Sequence, residues 1–261
     1  MRAGLFNIAR RLIIICVFTF NMFFAFAVQA QMRQIPAGTF LMGSEQGSGN
    51  EIPMHAITLS AFSLDINEIT KARYDSCVAA GVCSPAHYDD GQCVAWDGKN
   101  FRNIRVSSIM KNPDYPVVCV TWQQAMQYCN FKKQRLPTEA QWEYAALASR
   151  NVTYSWGNDA PNTRRCAMQG KSHPEKTNTF PPNPWGFHDM TGNVWEWTYD
   201  HYQPDYYSVS ESKDPKGPEV GQYRTIRGGG WYSVARQLRI KNRFWFEPNS
   251  PEISIGFRCA E

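Results

Sequence analysis

Between Arg227 and Cys259 the sequence has no cysteine, no histidine and no methionine. Soft metal ions select thiolate and thioether ligands, so this C-terminal stretch cannot assemble a soft-metal centre from its own side chains. A Cys-x-x-Cys pair is missing from the whole chain, which removes the usual framework of a structural zinc site. After residue 31 there is no apolar run long enough to cross a membrane, no low-complexity linker and no internal repeat. Excess charge is missing too. The formal charge of +4 owes three of its positive groups to Arg2, Arg10 and Arg11. Without them 24 basic and 23 acidic groups remain, and such a balance leaves no electrostatic footprint for nucleic acid.

The start of the chain explains where those arginines belong. A basic stretch precedes the apolar run from Leu12 to Ala27, and Val28-Gln29-Ala30 is a small-x-small cleavage pattern. Residues 1–30 therefore read as a secretory signal peptide. The expected mature protein is exported, periplasmic or secreted, with no membrane span once the signal is removed. Its 231 residues suit one large domain. Seven cysteines remain in it, at 77, 83, 93, 119, 129, 166 and 259. An oxidising compartment permits disulfides, and an odd count leaves one thiol over. Cys77 and Cys83 flank Ala79-Ala80-Gly81, where a helix ending at the glycine would turn back and let them bridge.

Residues 33–64 are strand-like, with Phe40-Leu41-Met42 and Ile57-Thr58-Leu59 as short apolar runs between Gly, Ser and Pro. Thr70 is placed to cap a helix running to about Ala80. Two capping boxes follow, Thr121 with Gln124 and Thr138 with Gln141. In the first helix Ala125, Tyr128 and Cys129 share the inward face. In the second, Trp142, Ala145 and Ala146 form the buried stripe, and Glu139 reads as a helix-start charge that suits the dipole. From Asn151 onward the chain is loop-heavy. Two or three helices with many short strands indicate an α+β fold whose irregular loops are held by disulfides or ions.

The segment Asp189-Met190-Thr191-Gly192-Asn193-Val194-Trp195-Glu196-Trp197 sets two carboxylates seven residues apart around a glycine. Carboxylates and carbonyls are the hard-oxygen set that Ca²⁺ prefers, although composition alone would favour an ordinary turn.

Several segments together resemble the formylglycine-generating enzyme family, the sulfatase-modifying factors. They are Ile35-Pro36-Ala37-Gly38-Thr39-Phe40-Leu41-Met42-Gly43, Asn67-Glu68-Ile69-Thr70, Arg135-Leu136-Pro137-Thr138-Glu139-Ala140-Gln141-Trp142-Glu143-Tyr144-Ala145, Gly192-Asn193-Val194-Trp195-Glu196-Trp197, Arg227-Gly228-Gly229 and Gly256-Phe257-Arg258-Cys259. They occur in the family's order across nearly all of residues 31–261. The resemblance implies a single irregular domain with a C-type-lectin-like core, little regular secondary structure, and stabilisation by disulfides and calcium. It implies a structural calcium held by Asp189 and Glu196 side chains and by Gly192 and Val194 carbonyls. A further family calcium site near Asn162 does not carry over, because the chain runs differently through Arg164-Arg165-Cys166. The resemblance also pairs Cys129 with Cys259. Cys77–Cys83 is then the second expected bond and Cys93–Cys119 the third, which leaves Cys166 unpaired.

Active enzymes of that family oxidise a substrate cysteine to formylglycine, using two copper-binding cysteines soon after the Gly-Gly motif. Here those positions fall on Ser233 and Leu238. A serine hydroxyl is hard and protonated, and leucine has no donor, so copper is not expected. Ser233 as a nucleophile would need an activating base, and no histidine stands in a triad spacing. The remaining pocket candidates are Trp231 and Tyr232, whose faces suit a ligand, and Arg236, Arg239 and Arg243, which suit an anion or pair with carboxylates of the fold. The expected function is maturation or tailoring of a partner protein or metabolite in an exported pathway through a remodelled pocket. Some exported relatives that lack the cysteines act in oxidative tailoring of siderophores. The alternatives are a non-enzymatic lectin-like binding module for a protein or glycan, and a formylglycine-generating oxidase whose copper site is built from elsewhere.

Overall fold

The computed structural model describes residues 31–261; the expected signal peptide at 1–30 lies outside the described residues. Four short strands open the domain: β1 (Met32–Ile35), β2 (Gly38–Met42), β3 (His55–Leu59) and β4 (Phe62–Asp65). β1 pairs antiparallel with β4, and β2 with β3. The period of two is visible in β3, where Ile57 and Leu59 are buried and Ala56 and Thr58 are exposed. Helix α1 (Lys71–Ala79) starts where the Thr70 side chain accepts from the Arg73 amide at 3.3 Å. A hairpin of β5 (Val94–Trp96) and β6 (Phe101–Asn103) follows.

Helices α2 (Trp122–Phe131) and α3 (Glu139–Leu147) begin at Thr121 and Thr138, each with both hydrogen bonds of its capping box formed. The chain then passes through turns and single bridges over residues 148–194. It ends in a four-stranded sheet of β7 (Trp195–His201), β8 (Arg224–Arg227), β9 (Phe244–Phe246) and β10 (Ile255–Gly256), ordered β10-β7-β8-β9. β10 runs parallel to β7, and the other pairs are antiparallel. This is an α+β domain with little regular structure. Among the described residues no helix is long and apolar enough to cross a membrane.

Three disulfides stitch the irregular parts: Cys77–Cys83, Cys93–Cys119 and Cys129–Cys259. Cys166 is a free, buried thiol. The first bridge forms as α1 ends at Ala80 and the chain reverses at Gly81, whose φ is +70°. The last ties α2 to the C-terminus over a sequence separation of 130.

α3 departs from its expected pattern. All nine of its residues are buried, not only the stripe of Trp142, Ala145 and Ala146. Glu139 stands in the first turn, as a helix-start charge should, but it lies in the interior. Its Oε1 accepts from Arg227 at 2.6 Å, and Arg243 donates to both of its oxygens at 2.8 and 3.0 Å. Arg227 also donates to Glu143 at 2.6 Å. Burial alone would raise Glu139, but Arg243 and Arg227 outweigh it and hold the carboxyl below its ordinary value. Asp200 sits beside this balanced set and accepts from the Glu139 amide at 2.7 Å. Burial, then the Glu139 charge, pushes it up to about 8, so it is mostly protonated at neutral pH and does not unbalance the four charges.

Candidate functional site: an aromatic groove without thiols

The loop after β8 fixes the site. Gly228 and Gly229 adopt φ of +96° and +80°, and a β-carbon on Gly229 would meet Leu238 Cδ2 at 2.7 Å. Only glycine combines that backbone with so close an approach. The Gly230 amide donates to Ser233 Oγ at 2.9 Å, and the Ser233 carbonyl accepts from Gln169 at 3.0 Å. Ser233 is fully buried. Its hydroxyl closes a turn, and no base is bonded to it.

Leu238 is fully buried against Tyr154 and Cys166. The Cys166 thiol is pushed up to about 12 by burial and the Asp189 charge. Raised that far, the free thiol is protonated at neutral pH. The other six described cysteines are oxidised in pairs.

Beside this loop lies a groove of about 580 Å³, eight of whose eleven lining side chains are aromatic. One wall is the β5–β6 hairpin, with Trp96 and Phe101 packed at 5.1 Å. The other is the outer strand β9: Phe244 stacks on Trp195 at 5.4 Å, and Trp245 packs against Tyr223 at 4.2 Å. Phe101 meets Phe246 edge-on at 5.0 Å and joins the two walls. Trp96, Phe101, Phe244 and Trp245 are 37–48% exposed, so the ring faces are open to a ligand. Among the described residues neither lysine, arginine nor histidine lines the groove.

The residues singled out in the sequence distribute unevenly around it. Tyr232 lines the groove. Trp231 packs on Tyr232 at 4.9 Å but turns into the core behind it. The three arginines do not line this groove, and two of them take the carboxylate pairing that was the alternative to an anion site. Arg236 is exposed, Arg239 clamps Glu51 at 2.9 and 2.5 Å, and Arg243 is buried on Glu139. Arg239 thus pairs the buried Glu51, and Arg243 shares the buried Glu139 with Arg227. Trp96, Phe101 and the run Phe244-Trp245-Phe246 were not foreseen; three consecutive aromatics in the run were the available signal.

A second cluster surrounds Asp189. Arg258, fully buried, donates to Glu196 Oε2 and Oε1 at 2.7 and 2.8 Å, and Trp142 Nε1 donates to Oε2 at 3.0 Å. Asp189 accepts from the Asn178 amide at 2.9 Å. Glu68, also buried, accepts from Asn193 Nδ2 at 2.6 Å and from the Val194 amide at 3.2 Å. Burial pushes Asp189 up to about 6. Burial, then the charges of Asp189 and Glu196, raises Glu68 well above the carboxylate range.

Three buried carboxylates thus face one guanidinium, and a hard divalent cation would neutralise the remainder. Among the described residues no three carboxylate, imidazole or thiol groups converge as a metal cage. Carbonyls must therefore complete any ligand set, and no turn or side-chain donor among the described residues reaches those of Gly192 and Val194. The donors fit calcium by type and charge. Glu68 entered the sequence reading only within the family segment Asn67-Glu68-Ile69-Thr70, which carries no sign of its place beside Asp189.

The sulfatase-modifying factor enzyme 1-like domain matches residues 21–261. Formylglycine-generating enzyme from Streptomyces coelicolor is 32% identical, covering 90% of this chain and 90% of that protein. The serine/threonine-protein kinase pkn1 of Chlamydia caviae is 36% identical over 88% of this chain, and the match spans 38% of that protein's length. The structure of PvdO from Pseudomonas aeruginosa superposes with a TM-score of 0.73 at 26% identity, covering 88% of this chain and 93% of that one. This chain belongs to the sulfatase-modifying factor family, whose members include the formylglycine-generating enzymes. Its fold is the C-type-lectin-like domain of that family.

Proposed function

We propose that this chain is an exported member of its family that takes its substrate in the aromatic groove. It serves the maturation or tailoring of a partner protein or metabolite without thiolate–copper chemistry. The observation that carries this reading is the environment of Ser233 and Leu238. Both are buried and used in packing, and the nearby Cys166 thiol is held protonated. Incubation with a Cys-x-Pro-x-Arg peptide, copper and a reductant is expected to leave the peptide cysteine intact by mass spectrometry. Aldehyde formation on that cysteine would overturn the reading.

The groove's wall of ring faces also favours the second reading, a non-enzymatic binding module, since among its lining residues only Tyr223, Tyr232, Glu247 and Ser250 bring ionisable or hydroxyl groups to it. A ligand that raises Tm without being turned over would select that reading.

Calcium is part of the same proposal, as a structural ion held by Asp189, Glu196 and the carbonyls of Gly192 and Val194. Chelation is expected to lower Tm by about 5 °C, if free calcium exceeds its dissociation constant about a hundredfold. Asp189→Ala should abolish that response. A Tm that is indifferent to chelator in the unsubstituted protein would remove calcium from the site.

A further inference from the structure

The groove's electrostatics identify a ligand class, and the inference rests on the reading of the groove as the substrate site. Aromatic faces carry negative quadrupole density and attract cations. Among the described residues no basic side chain lines the groove to serve an anion, while Glu247 stands exposed at its rim. Beneath the floor a second carboxylate is buried. Glu252 accepts from Tyr232 Oη at 2.7 Å, from Ser254 Oγ at 2.6 Å and from the Ser254 amide at 2.6 Å. All three partners are uncharged. The buried glutamates Glu51, Glu139, Glu143 and Glu196 each pair with an arginine, and Glu68, bonded to Asn193 and the Val194 amide, lies in the field of Arg258. Glu252 has no such cation among the described residues, and the group between it and the groove is the Tyr232 hydroxyl.

We propose that the groove binds a small organic cation, seated on the faces of Trp245, Phe244 and Trp96 and balanced by Glu247 at the rim and Glu252 through Tyr232. The volume of about 580 Å³ suits a small molecule. A positive charge placed there compensates the buried carboxylate without a proton being taken up. An anionic ligand would meet ring faces and carboxylates of its own sign.

The test uses choline, its uncharged carbon isostere with a tert-butyl group in place of the trimethylammonium, benzenesulfonate, and a hexapeptide carrying trimethyllysine. Each is titrated against the full mature chain by tryptophan fluorescence. Choline is expected to bind at least about tenfold more tightly than the isostere, as a desolvated cation–π contact requires. Benzenesulfonate is expected not to bind. Glu247→Gln and Glu252→Gln should each weaken choline severalfold and leave the isostere unchanged, and Trp245→Ala should weaken both.

Glu247 is exposed, so its variant keeps the test meaningful if Glu252→Gln fails to fold. Equal binding of choline and isostere would overturn the cation proposal while leaving the groove as a binding site. Tighter binding of the peptide than of choline would overturn the small-molecule assignment. Silence from all four probes would sink the cation proposal, and an unchanged catalytic or partner readout in Trp245→Ala would then sink the groove reading as well.

Discussion

Arg227→Met is expected to lower the unfolding free energy by about 3–5 kcal/mol and Tm by about 10 °C. Methionine keeps most of the volume, so the loss reports charge rather than a cavity. Arg227 is fully buried, with Nη1 on Glu139 and Nη2 on both Glu143 and the Ile240 carbonyl, each at 2.6 Å. Without it Glu139 still has Arg243, but Glu143 keeps only the Gly43 amide at 2.9 Å. An unpaired buried carboxylate costs several kcal/mol unless it takes a proton.

That condition sets the pH dependence. A stranded buried carboxylate is relieved by taking up a proton, so the variant's deficit is expected to be smaller near pH 5 than near pH 8. Urea unfolding of both proteins at the two pH values measures this. A second substitution, Glu143→Gln, should recover part of the loss by removing the stranded charge. A deficit under about 1 kcal/mol at both pH values would mean that water reaches the network and that the charges are not truly buried.

The helix starts were legible because capping is local: Thr121 with Gln124, and Thr138 with Gln141, satisfy each other within one turn. The lack of cysteine between Arg227 and Cys259 was legible for a simpler reason, since it is a matter of composition. The charge of Glu139 was not legible. A glutamate in a first turn looks alike whether solvent or Arg227, 88 residues away, lies beside it. The arginines stayed undecided for the complementary reason. Sequence leaves Arg239 and Arg243 equally suited to an anion or to a carboxylate of the fold, because their partners Glu51 and Glu139 are distant in sequence. The groove shares that property. Its walls come from the β5–β6 hairpin and from β9, which only the tertiary fold brings together. Local periodicity therefore located the elements, whereas the site depends on pairings that no window of sequence contains.

Removing the Cys129–Cys259 bridge by paired alanine substitutions is expected to cost about 5 kcal/mol, the largest effect of any change considered, if closure of a 130-residue loop governs the unfolded state. Cys93–Cys119, closing 26 residues, should contribute about 3.5 kcal/mol, and Cys77–Cys83 about 2 kcal/mol over its separation of 6. The three loops follow one another without overlapping, so their entropic contributions should add. The long bridge also acts on the native state. It anchors Cys259, whose amide donates to Asp65 at 3.0 Å, and the neighbouring Ala260 exchanges hydrogen bonds with Arg135 at 2.7 and 2.9 Å. One residue before the bridge, Arg258 supplies the only guanidinium among the described residues bonded to Glu196 and lowers the charge beside Asp189 and Glu68. Loosening the C-terminus therefore frees the counter-ion of the buried carboxylates at the same time as it lengthens the unfolded chain's reach. The two contributions separate by chemical unfolding at neutral and mildly acid pH. The entropic part is independent of pH, whereas the part due to a displaced Arg258 shrinks as the carboxylates take up protons. A loss of about 5 kcal/mol that is the same at both pH values would assign the bridge to the unfolded state alone. A smaller loss in acid would show that it also holds Arg258 in place.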